Sequence, residues 1–449
     1  MRTSLSALAT ALVLAATPPA ASAQALAPDT SWVRRAVLYE VFTSHFSPAG
    51  NFRGVQAGLD RIQATGATTV WLMPVHPIGV AGRKGTLGSP YAARDFRGIN
   101  PAFGTAGDFR ALVQAIHARG MKVILDWVPD HTSPDHPWIT QHPDWYFRDS
   151  AGVPMVPRDG NGQLTDWTDV RQLDYGNPAL RREMIAIMRW WIQEYGIDGY
   201  RVDVAGFIPY GFFTEALPQV RAARPEPILL LAEWGDLELH RRGFDLTYSW
   251  DAYKRLKAVW KGEVSAAEYV RAEVQEAKAM PAGGMRLRFT TNHDETAWDD
   301  TPVKIFGAGA RAAFVAAVTM PGRPLLYNGQ EVEAAEKVPL FEPVRVNWDQ
   351  PHAREARAFY AKVLGIVTSE PGFLTGTLAE VMTSAPTDVI AFRRGELVVL
   401  VNTRDRAVTA TLTGTDLGTS RDLLSGREVR GSRLTLPPFA AMILKRAGR

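Results

Sequence analysis

Short apolar runs alternate with longer amphipathic stretches over about 300 residues of this chain, and that rhythm predicts a parallel α/β sheet. Eight runs read as strands: AVLYEVF (36–42), TTVWLMP (68–74), MKVILDW (121–127), GYRVDV (199–204), ILLLAEW (228–234), FDLTYSW (244–250), RLRFTTN (286–292) and RPLLYNG (323–329). Between them, stretches such as 107–120, 177–196 and 266–280 repeat their apolar residues at three and four, the period of a helix buried on one face. Gly120 and Gly196 stand where two of these helices would stop. Eight strands separated by helices is the count of a (β/α)8 TIM barrel. An open doubly wound sheet would call for a glycine-rich phosphate loop after an early strand, and there is none.

Two segments break the rhythm. Residues 132–176 are rich in Pro, Asp, Gly and Trp and lack periodicity, too long for a plain loop, so they read as a small subdomain inserted after the third strand. From 373 to 449, short runs such as LVVLVNT and AVTATLT separated by turn residues predict a C-terminal antiparallel β-domain. The barrel would then occupy 24–372, behind a leader at 1–23. In that leader Arg2 precedes the apolar run LSALATALVLAAT, and Ala21-Ser22-Ala23 supplies small residues for cleavage, the layout of a secretory signal peptide. The run is shorter than the ~20 residues a spanning helix needs.

Composition narrows the classes further. With 449 residues, 46% hydrophobic, the chain can bury a large core, and with no cysteine an exported protein must rely on that core alone. The net charge is only +3 and the basic residues are scattered, so neither a nucleic-acid footprint nor a polybasic membrane patch is present. A small-molecule or polymer substrate fits better.

Acids recur where such a barrel places its chemistry, at the C-terminal ends of strands: Asp126, Asp203, Glu233 and Asp294. Arg201 lies two residues before Asp203, so both side chains point to one face and the guanidinium can keep the carboxylate ionised. Glu233 follows an apolar run and precedes Trp234, a setting that should raise its pKa. Each feature alone has a plainer reading. An Arg-x-Asp pair is usually structural, Asn-His-Asp is often a turn, and a rim glutamate is often a satisfied charge.

Convergence favours the chemical reading. DWVPDH (126–131), GYRVD (199–203), EW (233–234) and NHD (292–294), with Gly66–Pro74 and PGRPLLYNGQE (321–331), occur in an order and spacing that resembles the α-amylase family of retaining glycoside hydrolases, over roughly residues 36–349. The resemblance implies an exported enzyme that cleaves α-1,4-glucosidic bonds in starch-type glucans or malto-oligosaccharides. It assigns Asp203 as nucleophile, Glu233 as acid and later base, and Asp294 as the third acid gripping sugar hydroxyls. It also implies substrate contacts from Tyr91, His131, Arg201 and His293, with Asp126 as a brace.

Two departures bear on specificity. Many α-amylases carry Lys-His shortly after the nucleophile, where this chain has Val204-Ala-Gly-Phe207. Asp130 replaces the asparagine that often binds calcium, and DGNG (159–162) with Asp166 and Asp169 also has acidic oxygens to offer. The chemistry implies no cofactor, while Asp130 is the candidate ligand of a structural calcium ion. A hydrolase for cyclomaltodextrins or short oligosaccharides, a glucosyl transferase, and a catalytically inert carbohydrate-binding barrel are the alternatives.

Overall fold

The computed structural model describes residues 32–447; the leader predicted at 1–23 lies outside them. Each of the eight apolar runs overlaps one strand of a closed parallel barrel: β1 (Leu38–Val41), β2 (Thr69–Leu72), β3 (Lys122–Trp127), β4 (Gly199–Val202), β5 (Leu229–Ala232), β6 (Leu246–Tyr248), β7 (Met285–Arg288) and β8 (Arg323–Tyr327). The strands pair in chain order and β8 closes on β1. Nearly every strand residue is buried, because side chains fill the barrel on one side and helices cover the other.

Local chemistry sets the element ends. The helix α1 (Ala106–Ala118) starts on a capping box between Thr105 and Asp108. The next long helix, α2 (Pro178–Tyr195), starts on Asn177 with proline in its first turn and stops at Gly196, whose φ of 73° is left-handed. Gly199 opens β4 because a Cβ there would sit 1.9 Å from the carbonyl oxygen of Leu229 on β5.

The inserted segment after β3 folds back through a two-residue antiparallel pair, His131–Thr132 against Arg171–Gln172, and so roofs one side of the barrel mouth. The C-terminal residues form a six-stranded and a three-stranded antiparallel sheet. They dock on the barrel's outer helices, where Arg404 Nη1 donates to the carbonyl of Val259 at 2.8 Å and Ala266 N–H donates to that of Thr387 at 3.1 Å. Among the described residues no helix is long and apolar enough to cross a membrane.

Candidate active site

The register of β3 and β4 sets Arg201 beside Asp126, and Asp203 follows at the end of β4. The fully buried Arg201 donates from Nη1 to Asp126 Oδ1 (2.9 Å) and Asp203 Oδ1 (2.6 Å), while its Nη2 lies 2.9 Å from Glu233 Oε1. One planar fork therefore holds carboxylates from three successive strand ends. The other oxygen of Glu233 accepts the backbone N–H of Val204 at 2.8 Å. Val204 has a left-handed φ of 37°, unfavourable for a β-branched residue, and this bend presents its N–H to the acid.

A second layer of contacts fixes the opposite wall. Tyr91 Oη lies 2.6 Å from His293 Nε2, donates to Asp126 Oδ2 at 3.3 Å, and its ring stacks on the imidazole. Trp71 Nε1 donates to the same Asp126 oxygen at 3.2 Å. His293 is buried between Glu40, bonded to its Nδ1, and Asp294, whose Oδ2 is 3.3 Å from its Nε2.

Charge balance decides the protonation. Among the described residues, Asp126, Asp203, Glu233, Asp294 and Glu40 form ion pairs with two cations, Arg201 and His293. Burial raises Glu233 well above the usual carboxylate range; Arg201 opposes this, and the negative charges of Asp203 and Asp294 reinforce it. Asp126 is pushed up to about 7, mainly by burial, with Arg201 pulling the other way. For His293 burial works against the charge, but Asp294 and Glu40 outweigh it and lift the imidazole to about 9. The arrangement supplies a carboxyl group that keeps its proton beside a carboxylate held by a guanidinium, the pairing required for glycoside cleavage.

Tyr91, His131, Asp203, Glu233, His293 and Asp294 all line one cleft of about 430 Å³. Lys84, Trp167, Leu340, Phe341 and Trp298 form its walls. Arg201 does not line the cleft: both ends of its guanidinium are taken up by carboxylates, so the substrate contact expected of it gives way to positioning. Asp126 is likewise a buried brace. Of the subdomain tryptophans, Trp167 reaches the cleft, while Trp145 is buried and Trp138 packs against the core.

Asp130 turns away to a neighbouring cavity lined by Phe147, Met155, Tyr175 and Phe207. Its Oδ1 accepts from Gln172 Nε2 at 3.3 Å and its Oδ2 lies 3.1 Å from His131 Nδ1, so it orients the cleft histidine. Calcium takes six to eight oxygens, and among the described residues no group of three or more His, Cys, Asp or Glu is arranged to hold a metal. In the DGNG turn, Asp159 Oδ1 accepts the backbone N–H groups of Asn161 and Gln163, and Asp169 pairs with Lys84 at 3.1 Å.

Glu40, Trp71 and the Val204 N–H were not anticipated from sequence. Glu40 is a lone charge inside the first apolar run, which is a usable signal; a backbone N–H leaves none. Glu40 has a measurable consequence. Glu40→Gln is expected to move the imidazole titration of His293 down from about 9 toward the ordinary 6.5, followed by NMR of the ring protons. Because the folded pKa lies above the unfolded value, the charged His293 stabilises the fold fully below pH 6.5 and this contribution fades as pH rises through about 9. The variant should lose that extra stability in the same window, and an unmoved titration would exclude Glu40 as its cause.

Known proteins carry the same architecture. The family profile for the α-amylase catalytic domain matches residues 37–227. α-Amylase 2 of Dictyoglomus thermophilum is 25% identical over 92% of this chain and 76% of its own length. The crystal structure of a noncanonic maltogenic α-amylase, AmyB, from Thermotoga neapolitana superposes with a TM-score of 0.80 at 29% identity, over 92% of this chain and 98% of that one. An α-amylase from Lactobacillus plantarum superposes with a TM-score of 0.80 at 32% identity, over 92% of this chain and 99% of that one. With that identity sustained over nearly the whole of both chains, the chain belongs to the α-amylase family of glycosidases.

Proposed function

We propose that this enzyme hydrolyses α-1,4-glucosidic bonds in starch-type glucans or malto-oligosaccharides with retention, through a covalent glycosyl-enzyme intermediate. The observation that carries the reading is the shared guanidinium: Asp203 and Glu233 bind the same Arg201 fork, and Glu233 alone of the two is also held by the Val204 N–H. Two carboxyl groups tied to one fork suit the short separation of a retaining pair, about 5–5.5 Å, better than the wider gap that leaves room for an inverting water. Asp203 attacks the anomeric carbon as Glu233 protonates the departing oxygen; Glu233 then takes a proton from water as it attacks the intermediate. Asp294 and His293 hold hydroxyls of the sugar being cleaved, and Tyr91 stacks beneath it.

The N-terminal layout makes export part of this proposal. The test uses protein recovered outside the cytoplasm, with its N-terminus near Gln24, on soluble starch, maltoheptaose, cyclodextrin and pullulan. Reducing sugar should appear from starch and maltoheptaose, with the α-anomer first by NMR. Inertness on all four substrates defeats the α-glucan reading, and an initial β-anomer defeats retention.

A second reading, preference for short or cyclic oligosaccharides or transfer to another sugar, has its own support. In place of Lys-His, Phe207 stacks on Trp167 at 6.1 Å and meets Trp234 edge-on at 5.5 Å, and Gly206 leaves no room for a Cβ against the Trp234 ring. That apolar wall suits a sugar face as acceptor. Cyclodextrin turnover exceeding that of starch would select it.

A further inference from the structure

Of the 13 tryptophans, all within the described residues, Trp298 alone is exposed, at 65%. Large aromatic side chains are normally buried for most of their surface, so one left open at the edge of a reaction cleft calls for a reason. It ends the short helix His293–Trp298, which begins with two groups of the site itself. Asp294 and Trp298 are four residues apart, so they share one face of that helix, about one turn or 5.4 Å apart along its axis. Both border the same cleft.

The helix that carries the ring is anchored. Asn292 caps the helix by accepting the N–H of Glu295, and Lys257 bridges its far end, 2.8 Å from Asp299 and 3.4 Å from Glu295. Behind the indole stands Phe341, edge to face at 5.7 Å. Phe341 is fixed in turn by its carbonyl, which accepts the N–H of Leu87 at 2.8 Å, and by the close approach of Gly85, where a Cβ would fall 2.8 Å from the same oxygen. A polar partner also borders the cleft: Lys84, paired with Asp169, has ammonium hydrogens to offer sugar hydroxyls.

We propose that Trp298, backed by Phe341, is a stacking platform for a glucosyl ring next to the one being cleaved, on the side that stays with the nucleophile. This deepens the α-glucan reading and rests on it. Pyranose rings present C–H faces that pack on an indole while their hydroxyls reach water or a cation at the edge. The side follows from the wall already given to the leaving group: Phe207 and Trp234 stand beside Glu233 after β4 and β5, and Trp298 and Phe341, which follow β7 and β8, form a separate aromatic pair on the same cleft. An aromatic ring with few rotatable bonds, carried on an anchored helix, lowers the ordering cost of gripping a flexible chain.

The experiment compares kcat/KM for an aryl α-glucoside, which has no ring beyond the one being cleaved, and an aryl α-maltoside, which extends one ring onto the platform, in wild type, Trp298→Ala and Trp298→Phe. The alanine variant should lose about tenfold more on the maltoside than on the glucoside, mostly in KM, and phenylalanine should recover most of the difference. Equal loss on both substrates, or no loss, overturns the platform. Calorimetric binding of maltoheptaose to Asp203→Asn, with and without Trp298→Ala, gives a readout independent of turnover. Wild type inert on every α-glucan defeats the functional reading; maltoheptaose binding unchanged by loss of Trp298 defeats the platform alone.

Discussion

Asp203→Asn is expected to lower kcat on maltoheptaose by about 10⁴-fold or more, the scale seen when a nucleophile is taken from a catalytic unit that acts together. Glu233→Gln should cost about 10²–10⁴-fold, the range of one general acid. Size alone does not separate the roles, because either loss stops the cycle. Leaving-group chemistry does. With an aryl α-maltoside whose phenolate departs unaided, the first step no longer needs a proton, so Glu233→Gln should form the intermediate rapidly and then stall. Azide, which needs no base to attack, should restore its turnover and yield an α-glycosyl azide. Asp203→Asn has no nucleophile to form the intermediate, so neither aid should restore retaining turnover. Reversed responses would exchange the two assignments, and wild-type rates in both variants would remove the acids from the mechanism. Retained melting behaviour is the control for folding, since both side chains take part in the buried network around Arg201.

The barrel was legible because its signal is repeated. Every one of the eight apolar runs overlaps a strand; Asp126 lies within β3, Asp203 and Glu233 directly follow β4 and β5, and Asp294 comes six residues after β7. Most strand ends fall short of the apolar runs, by up to four residues, since residues such as Phe42 and Thr291 stay buried after the ladder stops and look like strand in a hydropathy pattern. What sequence could not show depends on distance across the closed sheet. Glu40 and His293 are 253 residues apart and meet only because β8 closes on β1. Asp130 shows the same limit: acid identity suggests a ligand, and only the fold shows that Gln172 and His131 bond its oxygens. The exposure of Trp298 is invisible to periodicity, which marks aromatic residues as core by default.

Arg201 is where stability and chemistry meet, and removing it should show both. Arg201→Met leaves Asp126, Asp203 and Glu233 around an apolar stem, and stripping one partner from a buried ionic group costs about 3–5 kcal/mol. The pH dependence distinguishes this from lost packing. Burial already places Asp126 at about 7, above its ordinary 3.8, so the folded state holds this proton more tightly than the unfolded state. The associated stabilisation is full at pH below about 4 and is lost as pH rises through about 7. Without the guanidinium, which pulls both Asp126 and Glu233 downward, the two acids should retain their protons to higher pH. The deficit in melting temperature relative to wild type should therefore be smallest at low pH, where the acids are neutral in both proteins, and should grow toward pH 8. A deficit constant across pH would mean that Arg201 acts as a packing element. Arg201→Lys keeps the charge but as a point that cannot bridge three carboxylates. It should recover much of the stability and little of the activity, with kcat/KM about 10²-fold below wild type from misplacement of the two acids.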